Sequence, residues 1–228
     1  MGTIQAFLDH MNWIQLIILM MGAAASLCCL TVHELSHGFA AYRLGDPTAK
    51  VNGRLTLNPI AHVDWVGLFL MLVARVGWAK PVPVDMRNFK NPKRDMAITA
   101  LAGPLSNFLL AYVALLLSSC VYHLAPDHVF FAYIMLFFSY MAVLSVGLGL
   151  FNLIPIPPLD GSKALFSLLP DRVYVTILRY ERYLVLAVVF LAWSGVFSGP
   201  IGMLMESIIR FLCRLSGFPF EIPRYYFF

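Results

Sequence analysis

Apolar residues in this chain come in long blocks, neither in the alternation of a half-buried strand nor in the one-sided stripe of a soluble helix. A helix crossing a bilayer needs about 20 largely apolar residues. Trp13 to Val32 meets that length, and the pattern predicts a helix that runs on past His37 to about Leu44. Met96 to Tyr122 and Val129 to Ile154 are two further blocks, and Tyr183 to Phe197 with Ile201 to Leu215 supply the last one or two. Val63 to Val76 is apolar but short. Both of its flanks are basic, so it is read as a segment that dips in and returns. Between the first two blocks, "LGDPTAKVNGRLTLNP" carries turn formers at Gly45, Asp46, Pro47, Asn52 and Gly53, and its alternating "RLTL" reads as a short strand. Pro81 to Lys93 is a polar, proline-containing loop, and the prolines at 155, 157 and 158 stop any regular helix. The fold expected is an all-α membrane protein. It is a polytopic helical bundle of about five to six membrane segments, with a short β or re-entrant insertion after the first helix.

Composition agrees. Of 228 residues, 60% are hydrophobic and only 12% charged, against about 25% charged in a typical soluble domain. A formal charge of +4 is too small to suggest nucleic acid; its placement is more informative. The loop at 123–128 has no Lys or Arg, whereas those at 43–58, 75–94 and 163–182 are rich in both. The positive-inside rule puts these three on the cytoplasmic side, the 123–128 loop outside, and the N-terminus outside. The first twelve residues lack the charged region of a secretory signal, so the first block is expected to persist. Cys28, Cys29, Cys120 and Cys213 have no paired spacing and indicate neither a disulfide framework nor a zinc ribbon.

Against this apolar background, "TVHELSHGFAAY" at 31–42 is conspicuous. His33 and His37 are four apart, so on a helix they share a face about 6 Å apart and can grip one metal ion. Glu34 reaches the same locality. This is H-E-x-x-H: two zinc ligands and a carboxylate able to take a proton from zinc-bound water. With 6 His and 4 Glu in the chain, random placement yields about 0.003 such matches, so chance is a poor rival to the motif. Ionisable groups at the end of an apolar run are costly and mark a site.

A catalytic zinc site wants three protein ligands plus water. Asp160, in "PPLDG", follows a block that returns the chain to the side where the His33–His37 helix ends, and the prolines and Gly161 free its backbone to turn inward. Cys29 competes, four residues before His33. Ligands at i, i+4 and i+8, however, span about 12 Å of helix, too far for one ion. Asp160 is the favoured third ligand.

"HELSH" on a membrane helix, "AGPLSN" on a later one and "NLIPIPPLDG" beyond it resemble the site-2 protease family of intramembrane zinc metalloproteases. The stretches "YRLGDPTAKVNGRLTLNPIAHVD" and "WAKPVPVDMRNFKNPKRDMAITALAGPLSN" are similar to its short bacterial and archaeal branch, and the resemblance runs from about Thr31 to Leu169. It implies one Zn²⁺ per chain held by His33, His37 and Asp160, with Glu34 as general base. It also implies a three-helix catalytic core within one integral-membrane domain over 1–228 (core about 13–169, C-terminal membrane helices about 173–216). Substrates would be transmembrane or signal-peptide-like segments cut in the bilayer of a prokaryotic cytoplasmic membrane, with the active site toward the cytoplasm. The branch this chain resembles is expected to do without the PDZ insertion and the nucleotide-sensing domain of larger members.

Other polar residues in apolar segments carry weaker readings. Asn107 and Asn152 either hold an extended substrate backbone, hydrogen-bond the oxyanion or a ligand, or bond to neighbouring helices. Gly103 and Pro104 suit close helix packing or a kink. "RLTL" would add a strand to an unwound substrate. His62 and Asp64 suit a loop-stabilising bond better than a second metal site, and the basic run Arg87 to Arg94 suits contact with anionic lipid. The alternative function, a metal transporter or non-proteolytic metal-binding membrane protein, would want several ligand clusters along a path; one is present.

Overall fold

The computed structural model describes residues 13–65, 67, 80–124, 129–170, 173, 176, 184–185, 188–191 and 194–221. Its helices in chain order are α1 (Trp13–Arg43), α2 (Thr48–Val51), α3 (Pro92–Leu124), α4 (Val129–Asn152), α5 (Asp160–Phe166) and α6 (Ser198–Ser216). Among the described residues, α1, α3 and α4 are long and apolar enough to cross a membrane. At 1.5 Å per residue, the 31 residues of α1 reach about 45 Å, longer than the bilayer's hydrocarbon core.

Local chemistry sets the ends. α1 stops where Gly45 takes a left-handed φ of 110° and the Asp46 N–H turns back onto the Ala41 carbonyl at 2.9 Å. α3 opens with Pro92 in its first turn, where no partner for an N–H is needed, and the Asp95 carboxylate accepts from the Asn91 N–H at 3.0 Å. α4 ends at Asn152 because Pro155 disfavours helical geometry at the residue before it.

The bundle is apolar outside and small or polar inside. On α3, Leu105, Leu109, Val113 and Leu117 form an exposed ridge at intervals of four, while Asn107, Ala111, Ala114, Ser118 and Ser119 are buried. α4 buries Ser139, Ala142, Ser145, Val146 and Gly149. Small residues let the two backbones approach: a Cβ on Gly149 would lie 3.2 Å from the Pro104 carbonyl oxygen. Ser145 Oγ donates to the Asn107 main-chain oxygen at 2.9 Å, and Ser118 Oγ to that of Met135 at 3.3 Å. Close approach with hydrogen bonds between helices is how helices associate where lipid removes the hydrophobic drive.

One expectation changes, and two others are not carried further. "RLTL" is not a strand; no strand occurs among the described residues, and this run is a series of bends. Side chains take the groups a ladder would use: the buried Arg54 guanidinium donates to the Lys80 carbonyl at 2.6 Å, and His62 Nε2 donates to the Thr56 carbonyl at 2.9 Å. Ile201–Leu215 is helical within α6, but Glu206, Arg210 and Arg214 make α6 less apolar than α1, α3 and α4, and Glu206 pairs with Arg210 at 2.7 Å. Most of Val63–Val76, and a third of Tyr183–Phe197, lies outside the described residues.

Candidate metal centre

α1 carries His33 and His37 on the face turned to α3, and both are buried, at 4% and 8% exposure. Asp160, 8% exposed, comes from the first turn of α5. Its delivery depends on the path after α4. Leu153 and Ile154 still bond back to Gly149 and Phe151, then the proline stretch reverses and Leu159 N–H reaches the Ile156 carbonyl at 2.9 Å. The reversal closes so tightly that a Cβ on Gly161 would sit 2.2 Å from the Leu153 carbonyl oxygen, so only glycine fits.

The three side chains meet. His33 Nε2 and His37 Nε2 are 3.0 Å apart, and each lies 3.1 Å from Asp160 Oδ2. Four-coordinate zinc with bonds of about 2.0–2.1 Å has ligand-to-ligand edges of about 3.3 Å. The observed triangle is close to one face of such a tetrahedron, with two neutral nitrogens and one carboxylate, a donor set zinc accepts. His37 Nδ1 donates to the Thr99 carbonyl at 2.7 Å, which fixes its proton on Nδ1 and leaves the Nε2 lone pair facing the cluster. Among the described residues this is the group able to hold a metal.

Cys29 does not join it. It is buried in the helix-packing core, with Sγ 3.4 Å from the Met141 carbonyl oxygen. His62 is engaged with Thr56, and the Asp64 carboxylate accepts from the Gly67 N–H at 2.9 Å. A cavity of about 650 Å³ opens beside the triangle, and Glu34, Asn152 and Lys163 line it with the three clustered residues. Asn152 also donates to the Leu148 carbonyl at 3.0 Å. Asn107 is fully buried on α3, with its amide 3.3 Å from His33 Nδ1. Gly103, a turn earlier, faces both imidazoles: a Cβ there would lie 2.4 Å from His37 Nε2.

A strap, Lys80 to Asp85, crosses the other side. The Val82 N–H donates to Glu34 Oε2 at 2.8 Å. One end of the strap is held by Arg54 and by Lys80 N–H to the His62 carbonyl at 2.9 Å. The other end is held by buried Asp46, which accepts from the Asp85 N–H and the Asn88 amide, both at 2.7 Å, and from the Thr48 hydroxyl. Burial pushes the Asp46 carboxyl up, but these hydrogen bonds outweigh it and hold the group below the usual carboxylate range. Sequence reasoning missed Val82 and Thr99 because their main-chain groups do the work. It also missed Lys163, whose Nζ lies 3.9 Å from Asp160 Oδ1; its position one turn after Asp160 was the available signal.

A buried two-histidine, one-carboxylate triangle with a glutamate beside it, set among membrane-length helices, defines a metallopeptidase-type centre. The sequence model of peptidase family M50 matches residues 21–194, and the chain belongs to that family. It is 41% identical over 174 residues to "Putative zinc metalloprotease YwhC" of Bacillus subtilis, covering 75% of this chain and 77% of that protein. It is 34% identical over 153 residues to "Putative zinc metalloprotease Rip2" of Mycolicibacterium smegmatis, and 31% over 152 to the Rip2 of Mycobacterium tuberculosis strain H37Rv. These two matches cover 65% of this chain but only 56% and 57% of the relatives' length. No solved structure matches. The chain is thus a zinc metalloprotease with membrane-length helices.

Proposed function

We propose that the chain is an intramembrane endopeptidase that cuts membrane-protein substrates within or near their spanning segments, in regulated proteolysis or in clearing signal-peptide remnants. The observation that carries this reading is the buried His33–His37–Asp160 triangle on a membrane-length helix, opening onto a cavity that also contains Glu34. His33, His37 and Asp160 would hold the ion, and Glu34 would be the base. Zinc bound there supplies a water of pKa near 7 and polarises the scissile carbonyl. Glu34 takes the proton of the attacking water and returns it to the leaving amine. A helical peptide bond is shielded by its own hydrogen bonds, so the substrate enters locally unwound, and Asn152 in the cavity wall is suited to hold its extended backbone. The basic loops support a cytoplasm-facing site, an outside N-terminus and residence in a prokaryotic cytoplasmic membrane. Single-domain organisation over 1–228 belongs to the same reading.

The test is Glu34→Gln in proteoliposomes with a single-span reporter substrate. Zinc content should equal that of the unsubstituted protein while cleavage falls by about 10²–10⁴-fold. Unchanged cleavage would sink the mechanism. Zinc movement across the vesicle without cleavage by the unsubstituted protein would favour the transporter reading.

A further inference from the structure

The back of the metal centre is a stripe on α3. Thr99, Gly103 and Asn107 stand at i, i+4 and i+8, so they share one helix face. That face runs beside the i, i+4 pair of α1, with Thr99 against His37 and Asn107 against His33. The Thr99 carbonyl takes the Nδ1 proton of His37, and Gly103 leaves room for both rings, since a Cβ there would be 2.4 Å from His37 Nε2 and 2.7 Å from His33 Cε1. For His33 to face the cluster through Nε2, its Nδ1 must carry the proton and needs an acceptor.

Asn107 is fully buried, and its Oδ1 has no hydrogen-bond partner among the described residues, while its amide nitrogen is directed at His33 Nδ1 across 3.3 Å. Exchanging the amide's oxygen and nitrogen, an assignment that follows the hydrogen bonds, gives His33 its acceptor and moves the NH2 to the place where the oxygen stood. The main chain at Asn107 is itself held, by Ser145 of α4 at 2.9 Å.

We infer that Asn107 is a positioning residue for the metal, accepting the Nδ1 proton of His33 so that Nε2 is aimed at zinc, as the Thr99 carbonyl does for His37. The inference rests on the ligand reading above. It assigns Asn107 to holding a ligand, one of the roles the sequence left open beside contact with substrate and helix packing. Second partners of this kind fix tautomer and ring orientation, and losing one costs about 10–100-fold in metal affinity.

The experiment uses the full chain in detergent, competing for zinc with a chromophoric chelator, and repeats the measurement with Co²⁺ to read ligand geometry from its visible bands. Asn107→Ala should weaken zinc binding about 10–100-fold and shift the cobalt bands. Asn107→Asp keeps an acceptor oxygen and should restore both. Asn107→Ala binding zinc as the unsubstituted chain does, with only KM raised, would overturn the inference in favour of substrate contact. Equal loss in the Ala and Asp variants would overturn it in favour of packing. His33→Ala serves as the control: zinc binding unaffected by it would refute the ligand reading itself, on grounds separate from Asn107.

Discussion

The two sides of the His33–His37 segment are built differently. Toward α3, the imidazoles meet a continuous 33-residue helix, with ring contacts fixed to a main-chain carbonyl and a fully buried amide. Toward the cavity, Glu34 meets Lys80–Asp85, a strap without helix or strand, tied at its ends by Arg54 and Asp46 and touching the carboxylate through one N–H. The back cannot yield without disturbing the ligands. The front can, because its ties are separable hydrogen bonds. In the proposed mechanism, ligands that must not move and a base that must meet water and substrate call for these opposite constructions.

Substitutions should separate the two sides. The largest effect is expected from Gly161→Ala, where the new Cβ meets immovable main chain at 2.2 Å. Asp160 would be displaced, and both zinc content and cleavage should be lost. Gly103→Ala comes next. Its Cβ overlaps the His37 ring, and overpacking costs about 1–3 kcal/mol, so chelator competition should show zinc affinity reduced roughly tenfold or more. Full affinity would mean that α3 does not constrain the ligands.

A cut in the strap should do the reverse. Asp46→Ala leaves the half-buried Asp85 N–H without its acceptor, at up to about 1–3 kcal/mol for an unpaired donor, while the exposed Asn88 amide can turn to water. Melting in detergent should fall and cleavage drop several-fold, with zinc content unchanged; lost zinc would dissolve the distinction between front and back. The folded Asp46 carboxyl is depressed, so its contribution is present above the unfolded value of about 3.9. It is lost as pH falls through the folded value. Acid below about pH 4 should therefore lower the melting temperature, less so in the Ala variant. The smallest effect is expected at Arg87. Its guanidinium bonds to the Asp85 carboxyl and holds it down at about 2, but the pair is solvent-exposed, and such pairs contribute little. Arg87→Ala should leave cleavage unchanged at neutral pH.

How much of this could be read from the chain depended on where the chemistry resides. "HELSH" was legible because one helical turn contains both imidazoles and Glu34. Asp160 was legible because prolines and a glycine announce a turn at the right depth. The long helices followed from apolar length alone, with α1 ending at Arg43 against an expected Leu44. "RLTL" misled because alternation supplies a strand's faces but not its partner; Arg54 and His62 bonded the nearby main chain instead. The strap's grip on Glu34 and the Thr99 carbonyl were illegible, since main-chain groups are the same whatever the residue. The role proposed for Asn107 was one of several the sequence left open; choosing it from the spacing with Thr99 and Gly103 required knowing that the two helices face each other.

The bond between His33 and Asp160 joins residues 127 positions apart. A ribosome moving at about 5–20 residues per second takes roughly 6–25 s to cover that distance. Throughout that interval α1 has its histidines and its glutamate but lacks the third corner of the site. The triangle therefore cannot close until all three membrane-length helices, α1, α3 and α4, have been made.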